Sequence, residues 1–259
     1  MKNKPILLAL IAVGLLGVAA GGFAVAVLGP TLSGGHVTEA EVRSILRNNP
    51  DMVLEALQAL QERQKTAGLT QQRAAIATNR AALLQDANSF VAGNPKGDVT
   101  VVQFFDYRCP YCRQSMAVVR DLLKADPNIR LVYKEFPILG PQSLAASRIA
   151  VAARKDPRYE RLHDALMLAP SPLGEDQALD IAAGIGLDRK ALAEAAKSQE
   201  IDTILKANHT LAVTLGISGT PAFIVGDALV PGYISLGDLQ KLVASARSRG
   251  GDRLIQSGG

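Results

Sequence analysis

The sequence predicts an α/β fold, in which a parallel βαβ unit is interrupted by a helical insertion and completed by a β-hairpin and a helix. Three observations carry that prediction. Residues 99–107 (Val-Thr-Val-Val-Gln-Phe-Phe-Asp-Tyr) are rich in β-branched and aromatic side chains and lead into Cys109-Pro110-Tyr111-Cys112, which holds the chain's two cysteines. Residues 113–124 read as a helix, and residues 129–136 read as a second strand stopped by Pro137, so strand, helix and strand make a parallel crossover. Near the C-terminus, residues 222–225 and 228–230 flank Gly226-Asp227 as two short strands about a turn, with a closing helix over 239–246.

In chain order, the first segment is residues 1–35. Lys2 and Lys4 form a short basic start, followed by a run with no acidic residue before Glu39. Signal h-regions are typically ~7–15 residues, whereas residues 6–28 make an uncharged stretch of 23, long enough to cross a bilayer. The segment is read as a signal peptide, with Ala24-Val25-Ala26 as a cleavage site, or as an uncleaved anchor. In either case the lysines hold the N-terminus inside and the rest of the chain is exported.

Residues 36–87 form a helical region. Thr38 and Glu41 have capping-box spacing, and Val42, Ile45 and Leu46 line one face. Asn49-Pro50 marks a second start, with Asn49 as N-cap, and Val53, Leu57 and Leu60 repeat at helical spacing. Gly68 is read as a break before a third helix with Ile76, Leu83 and Leu84. The apolar stripes fit either helices folded back on the domain or a self-associating stalk, since the seam is shorter than a coiled coil requires. The remaining divisions are 88–138, which carries the cysteine pair; 139–211, a helical insertion rich in Ala and Leu; 212–248, the hairpin and closing helix; and 249–259, a Gly/Ser-rich disordered tail.

The chemistry concentrates at Cys109 and Cys112. A helix N-terminus offers unpaired N–H groups and a positive dipole end, which stabilise a thiolate. Cys109 is therefore the expected nucleophile and Cys112, one turn inward, the resolving thiol. A structural zinc site needs about four ligands, and His36, His163 and His209 have no ligand spacing, so no metal and no cofactor is expected. The histidines read as structural, and Phe105 and Tyr107 as lining the core and the rim of the site. Without residues 1–35, Lys+Arg falls from 28 to 26 against 24 acidic residues, too balanced for nucleic-acid binding. One cysteine pair in an exported chain is not a disulfide scaffold.

With Gly219-Thr220-Pro221 placed before the hairpin, the pattern over roughly residues 88–248 resembles the thioredoxin fold of DsbA-family proteins. Residues 37–64, 105–112 and 134–140 narrow the likeness to ScsC-type proteins, named for suppression of copper sensitivity. The resemblance implies that Pro221 is a cis-proline facing the disulfide and that the backbone at Thr220 pairs with a client peptide. It also implies that Pro110 and Tyr111 tune the redox poise. Some ScsC-type proteins trimerise through an N-terminal stalk and act as disulfide isomerases, and Thr220 is common before the proline in isomerases. DsbA has an acidic residue where this chain has Gln103. Lys134 and Glu135 lie nearby as candidates to aid proton transfer in its place, and the reading favoured for them is a strand salt bridge or a solvated edge.

The implied activity is that of a periplasmic thiol:disulfide isomerase or reductase, homo-oligomeric with a trimer favoured, and tethered to the inner membrane where the N-terminal segment is uncleaved. Its partners would be misoxidised or unfolded exported proteins and a membrane thiol reductase or oxidase. The alternatives are a monomeric DsbA-like oxidase and a Cu(I)-binding protein using the same thiols.

Overall fold

The computed structural model describes residues 38–252. The signal or anchor reading of residues 1–35 and most of the predicted C-terminal tail lie outside the described residues. The chain divides into two compact units, with the boundary between Ala59 and Leu60.

In the first unit, α1 (Glu39–Asn48) begins with the expected capping box. Thr38 Oγ1 accepts from the Glu41 N–H at 3.3 Å, and Glu41 Oε2 accepts from the Thr38 N–H at 2.9 Å. Asn49 both closes α1 and stands before Pro50 at the start of α2: its carbonyl accepts from the Met52 N–H at 3.2 Å, while its backbone N–H and its side-chain amide donate back to the Ile45 carbonyl, so its side chain does not cap α2. Helix α2 (Pro50–Thr78) starts at Pro50 and continues through Gly68 without the expected break. A glycine inside a helix costs about 1 kcal/mol relative to alanine, which 29 residues of continuous hydrogen bonding absorb. Val42, Ile45, Leu46, Met52, Val53, Leu54 and Leu57 are all exposed.

The second unit is built on a five-stranded sheet of order β1-β3-β2-β4-β5. Strand β1 (Val91–Gly93) runs antiparallel to β3 (Ile129–Glu135), and at three residues it is too short to leave a periodic signal. Strand β2 (Val99–Phe105) is parallel to β3, in a register that sets Phe105 beside Glu135. Strands β4 (Ala222–Val225) and β5 (Ala228–Pro231) form the hairpin, with β4 antiparallel to β2.

Because successive side chains on a strand point to opposite faces, β2 serves two cores. Val99, Val101 and Phe105 pack beneath α4 (Pro110–Ala125), α5 (Pro141–Ala152), α6 (Tyr159–Leu168), α7 (Glu175–Gly184), α8 (Arg189–Ala195) and α10 (Leu236–Ser248). Val102 and Phe104 pack on the other side with Leu211 and Ala212 of α9 (Gln199–Thr214), Ile76 of α2, and Leu83 and Leu84 of α3 (Arg80–Leu84). The last part of the N-terminal helical region thus belongs to the core of the second unit. Arg80 and the Thr100 N–H both donate to the buried carboxylate of Asp252, tying α3 to the chain's C-terminal side. Truncating Leu83, 1% exposed, to alanine is expected to lower unfolding free energy by about 2–5 kcal/mol, read as a lower urea midpoint at unchanged slope.

Candidate active site

The site forms where β2 hands the chain to α4. Asp106 Oδ1 accepts from the Arg108 N–H at 2.8 Å, and the Asp106 carbonyl accepts from the Cys109 N–H at 3.1 Å. This turn delivers Cys109 as the N-cap of α4 with extended backbone, and Pro110 takes the first helical position, where no N–H is missed. Cys109 is 5% exposed and Cys112 fully buried, so the nucleophile is more enclosed than the sequence indicated. Tyr111 lies outward at 57% exposure. Both thiols are free. Across from them the Thr220–Pro221 peptide is cis, and Cys109 Sγ lies 3.1 Å from the Thr220 carbonyl, to which it donates when protonated. All six sequence-predicted residues therefore gather at one junction, with Pro110 and Tyr111 on its solvent side.

The two thiols differ sharply in acidity. Cys109 is lowered from 9 to about 5, first by the hydrogen bond from the Cys112 thiol, then by the Thr220 side chain and the N–H groups of Cys112 and Tyr111, all acting against burial. Burial pushes Cys112 far up, and the adjacent Cys109 reinforces it. At neutral pH the pair is one thiolate beside one thiol.

Sequence reasoning missed Asp106 as a site residue. Its carboxylate is fully buried. Besides the Arg108 N–H, it accepts from Ser143 Oγ at 2.8 Å and from the N–H groups of Ile138 and Leu139 at 2.8 and 3.0 Å. Arg108 Nη1 donates in turn to the Leu139 carbonyl at 2.9 Å. The segment between β3 and α5 is thereby clamped to the turn that presents Cys109, and Gly140, at φ +99°, lets the chain leave that clamp into α5. An aspartate at a strand end is a turn signal; its distant partners are not local information.

Lys134 takes the expected ion pair, with Asp86 at 2.6 Å. Glu135 does not: it is buried without a cation and accepts from Tyr107 Oη at 2.9 Å, Tyr159 Oη at 3.0 Å and Ser147 Oγ at 2.7 Å. Burial raises it to about 8, so it holds its proton at neutral pH. His163 Nδ1 lies 3.3 Å from Tyr107 Oη, and burial lowers this imidazole to about 3, which keeps it neutral. Gln103 sits mid-strand between Tyr133 and Phe223, so no carboxylate occupies that position. Among the described residues, no group of three His, Cys, Asp or Glu side chains could hold a metal ion.

A strand–helix dithiol with one acidic and one buried thiol, faced by a cis-proline, defines a thioredoxin-fold dithiol site. The chain belongs to the DSBA-like thioredoxin domain family, whose model matches residues 100–244. Among solved structures it is 49% identical to a thioredoxin-like oxidoreductase from Silicibacter pomeroyi, covering 66% of this chain and 98% of that one at a TM-score of 0.64. It is 29% identical to ScsC of Proteus mirabilis in a transitional conformation, covering 81% of this chain and 95% of that one at a TM-score of 0.61. The thiol:disulfide interchange protein DsbA of Bordetella pertussis is 28% identical over 165 residues, 60% of this chain and 78% of that protein. The chain spans only 24% of the length of the first curated relatives it matches, Na(+)/H(+) antiporters of Salinispora.

Four outcomes follow from this geometry. The alkylation rate of Cys109 should titrate near 5 and move up toward 9 in Cys112→Ala, which removes the largest stabilising contact. Because the folded value lies below the unfolded one, this thiol's contribution to the stability of the reduced protein is full above pH 9. It declines as pH falls toward 5. The difference in unfolding free energy between wild type and Cys109→Ser should show that slope. Glu135, raised from 4.5 to about 8, contributes the opposite one, with stability lost as pH rises across that interval, and Glu135→Gln should remove it. Asp106→Asn would set an amide group against the Ile138 and Leu139 N–H donors. It should cost about 1–3 kcal/mol in urea unfolding and move the Cys109 titration upward.

Proposed function

We propose that this protein is an exported disulfide isomerase or reductase acting on misoxidised protein clients. The observation that carries the exchange chemistry is the unequal acidity of two adjacent sulfurs facing the cis Thr220–Pro221 peptide: Cys109, with its acidity near 5, is a thiolate at neutral pH, while Cys112 remains a buried thiol. The Cys109 thiolate attacks a client disulfide. One S–S bond forms to Cys109, one client S–S bond breaks, and the released client thiolate takes a proton from water. In isomerisation, a client thiolate then attacks a client sulfur, either the one bonded to Cys109 or one in a second disulfide. Cys109 leaves as thiolate when its own mixed disulfide is resolved, with no net change in electrons. In reduction, Cys112 loses its proton and attacks Cys109, so the client gains two electrons and the pair becomes a disulfide, which a membrane thiol reductase must reduce again. Pro221 and the backbone at Thr220 hold the client as an added strand.

Thr220 before the proline and the likeness to ScsC-type structures support the isomerase reading. Self-association, with a trimer favoured, is supported by the exposed apolar side chains of α1 and the first half of α2, from Val42 to Leu57. Export to the periplasm is supported by the basic-then-apolar start of the chain and by its likeness to a periplasmic thioredoxin-like protein of Salmonella enterica.

Light scattering on residues 37–259 should give a multiple of the monomer mass that collapses when residues 37–59 are removed. Reduced protein should reactivate a scrambled disulfide substrate, Cys109→Ser should not, and the shortened form should lose isomerase activity while still reducing a simple disulfide. A monomer found oxidised at steady state in the periplasm would make it an oxidase instead.

A further inference from the structure

We infer that the site selects clients whose reacting cysteine is flanked by carboxylates, so that Arg108 and Arg113 are specificity residues bracketing the nucleophile. The inference rests on the exchange reading above and adds a substrate class to it. Four segments are hydrogen-bonded to the motif or to its facing proline loop. Segment 137–141 is held through Asp106 and Arg108, and segment 168–173 through Arg113 Nη2, which donates to the Ala169 carbonyl at 2.6 Å. Segment 218–222 is held through the Cys109–Thr220 contact. Segment 231–235 is held through the Gly232 N–H, which donates to the Pro221 carbonyl at 2.7 Å.

None of these four segments contains a charged residue, and the motif segment 106–113 contains only Asp106, Arg108 and Arg113. Asp106 is buried and spent on four neutral donors. Among the described residues, neither arginine has a carboxylate partner. Arg120, Arg158, Arg189 and Arg247, by contrast, each pair with an aspartate. A backbone carbonyl orients a guanidinium without cancelling its charge, and each guanidinium carries five N–H donors, most of them left over. Arg108 Nε is buried with no partner.

The positions suit recognition. Arg108 precedes the nucleophile, and Arg113, whose N–H donates to the Cys109 carbonyl at 3.2 Å, lies one helical turn beyond it. Arg113 is exposed and Arg108 half-buried. The four hydrogen-bonded segments add no charged side chain, and Tyr111, Leu139, Leu168 and Tyr233 are exposed. Two uncompensated guanidiniums beside uncharged segments attract carboxylates, pair with them bidentately and repel lysine-flanked cysteines.

The test uses three disulfide-bonded peptides identical except that Glu, Gln or Lys flanks the cysteine. The readout is the second-order rate of mixed-disulfide formation with reduced full-length protein. Wild type is expected to react roughly tenfold faster with the Glu than with the Lys peptide at low salt, the ratio falling toward one as salt screens the charges. In the Arg108→Gln/Arg113→Gln double variant that ratio should fall severalfold, while Arg108→Lys/Arg113→Lys, which keeps the charge, should retain most of it. Comparing variants on the same peptide cancels the effect of the flanking residues on leaving-group acidity. A Glu-to-Lys ratio near one in wild type, or one unchanged in the folded Gln variant, would overturn the selection. A wild-type protein that fails to react even with the Gln peptide would overturn the exchange reading beneath it.

Discussion

The presentation of Cys109 depends on one buried carboxylate. Asp106 ends β2, and its two oxygens are shared among three backbone N–H groups and one hydroxyl, with no cation among them. A buried charge compensated by oriented dipoles is costly to disturb, because each donor left behind is unsatisfied. That arrangement joins three separate pieces of chain: the turn into α4, the segment leaving β3, and the start of α5 through Ser143. Acidity at Cys109 needs sulfur aimed at the Tyr111 and Cys112 N–H groups, and the aim is set by the turn that Asp106 closes.

A second buried carboxyl lies beside the first. Glu135, level with Phe105 across the parallel register, is surrounded by hydroxyls and stays protonated to about 8. The three hydroxyls around Glu135, each also satisfied by the neutral acid, do not offset its burial. The negative charge of Asp106 itself helps keep Glu135 neutral. Glu135 is thus a protonated carboxyl beneath the site, and Gln103 stands where a proton-transferring acid would sit in DsbA.

What could be read from the chain was local. The strands flanking the dithiol, the position of Cys109 at a helix start and the hairpin after Pro221 each rest on patterns within about ten residues. Three residues of β1 carry no such pattern. The burial of Glu135 depends on Ser147 and Tyr159, which the helical insertion brings back over the sheet, so a charged residue near a strand end read as surface. Gly68 read as a helix end because composition does not tell a tolerated glycine from a cap. Ile76, Leu83 and Leu84 have apolar spacing that fits packing on the sheet as well as it fits a stalk, and only the sheet's second face decides between them.

The acidity of Cys109 also bears on the direction of catalysis. Stabilising the thiolate stabilises the reduced pair, and a pair stabilised in its reduced form makes an oxidising disulfide, as in DsbA. Such a pair gives up its disulfide readily to clients and, once reduced, is slow to be reoxidised by them. An isomerase needs the second property, since it must remain a thiolate through many encounters. An oxidase needs the first and requires a membrane oxidant to restore it. The thermodynamics of Cys109 and Cys112 therefore serve both activities. Under the proposed function, the choice between them lies in features outside the dithiol: which redox partner would reach the enclosed thiol past Tyr111, and whether an assembly of copies would keep a released client close enough for a second attack.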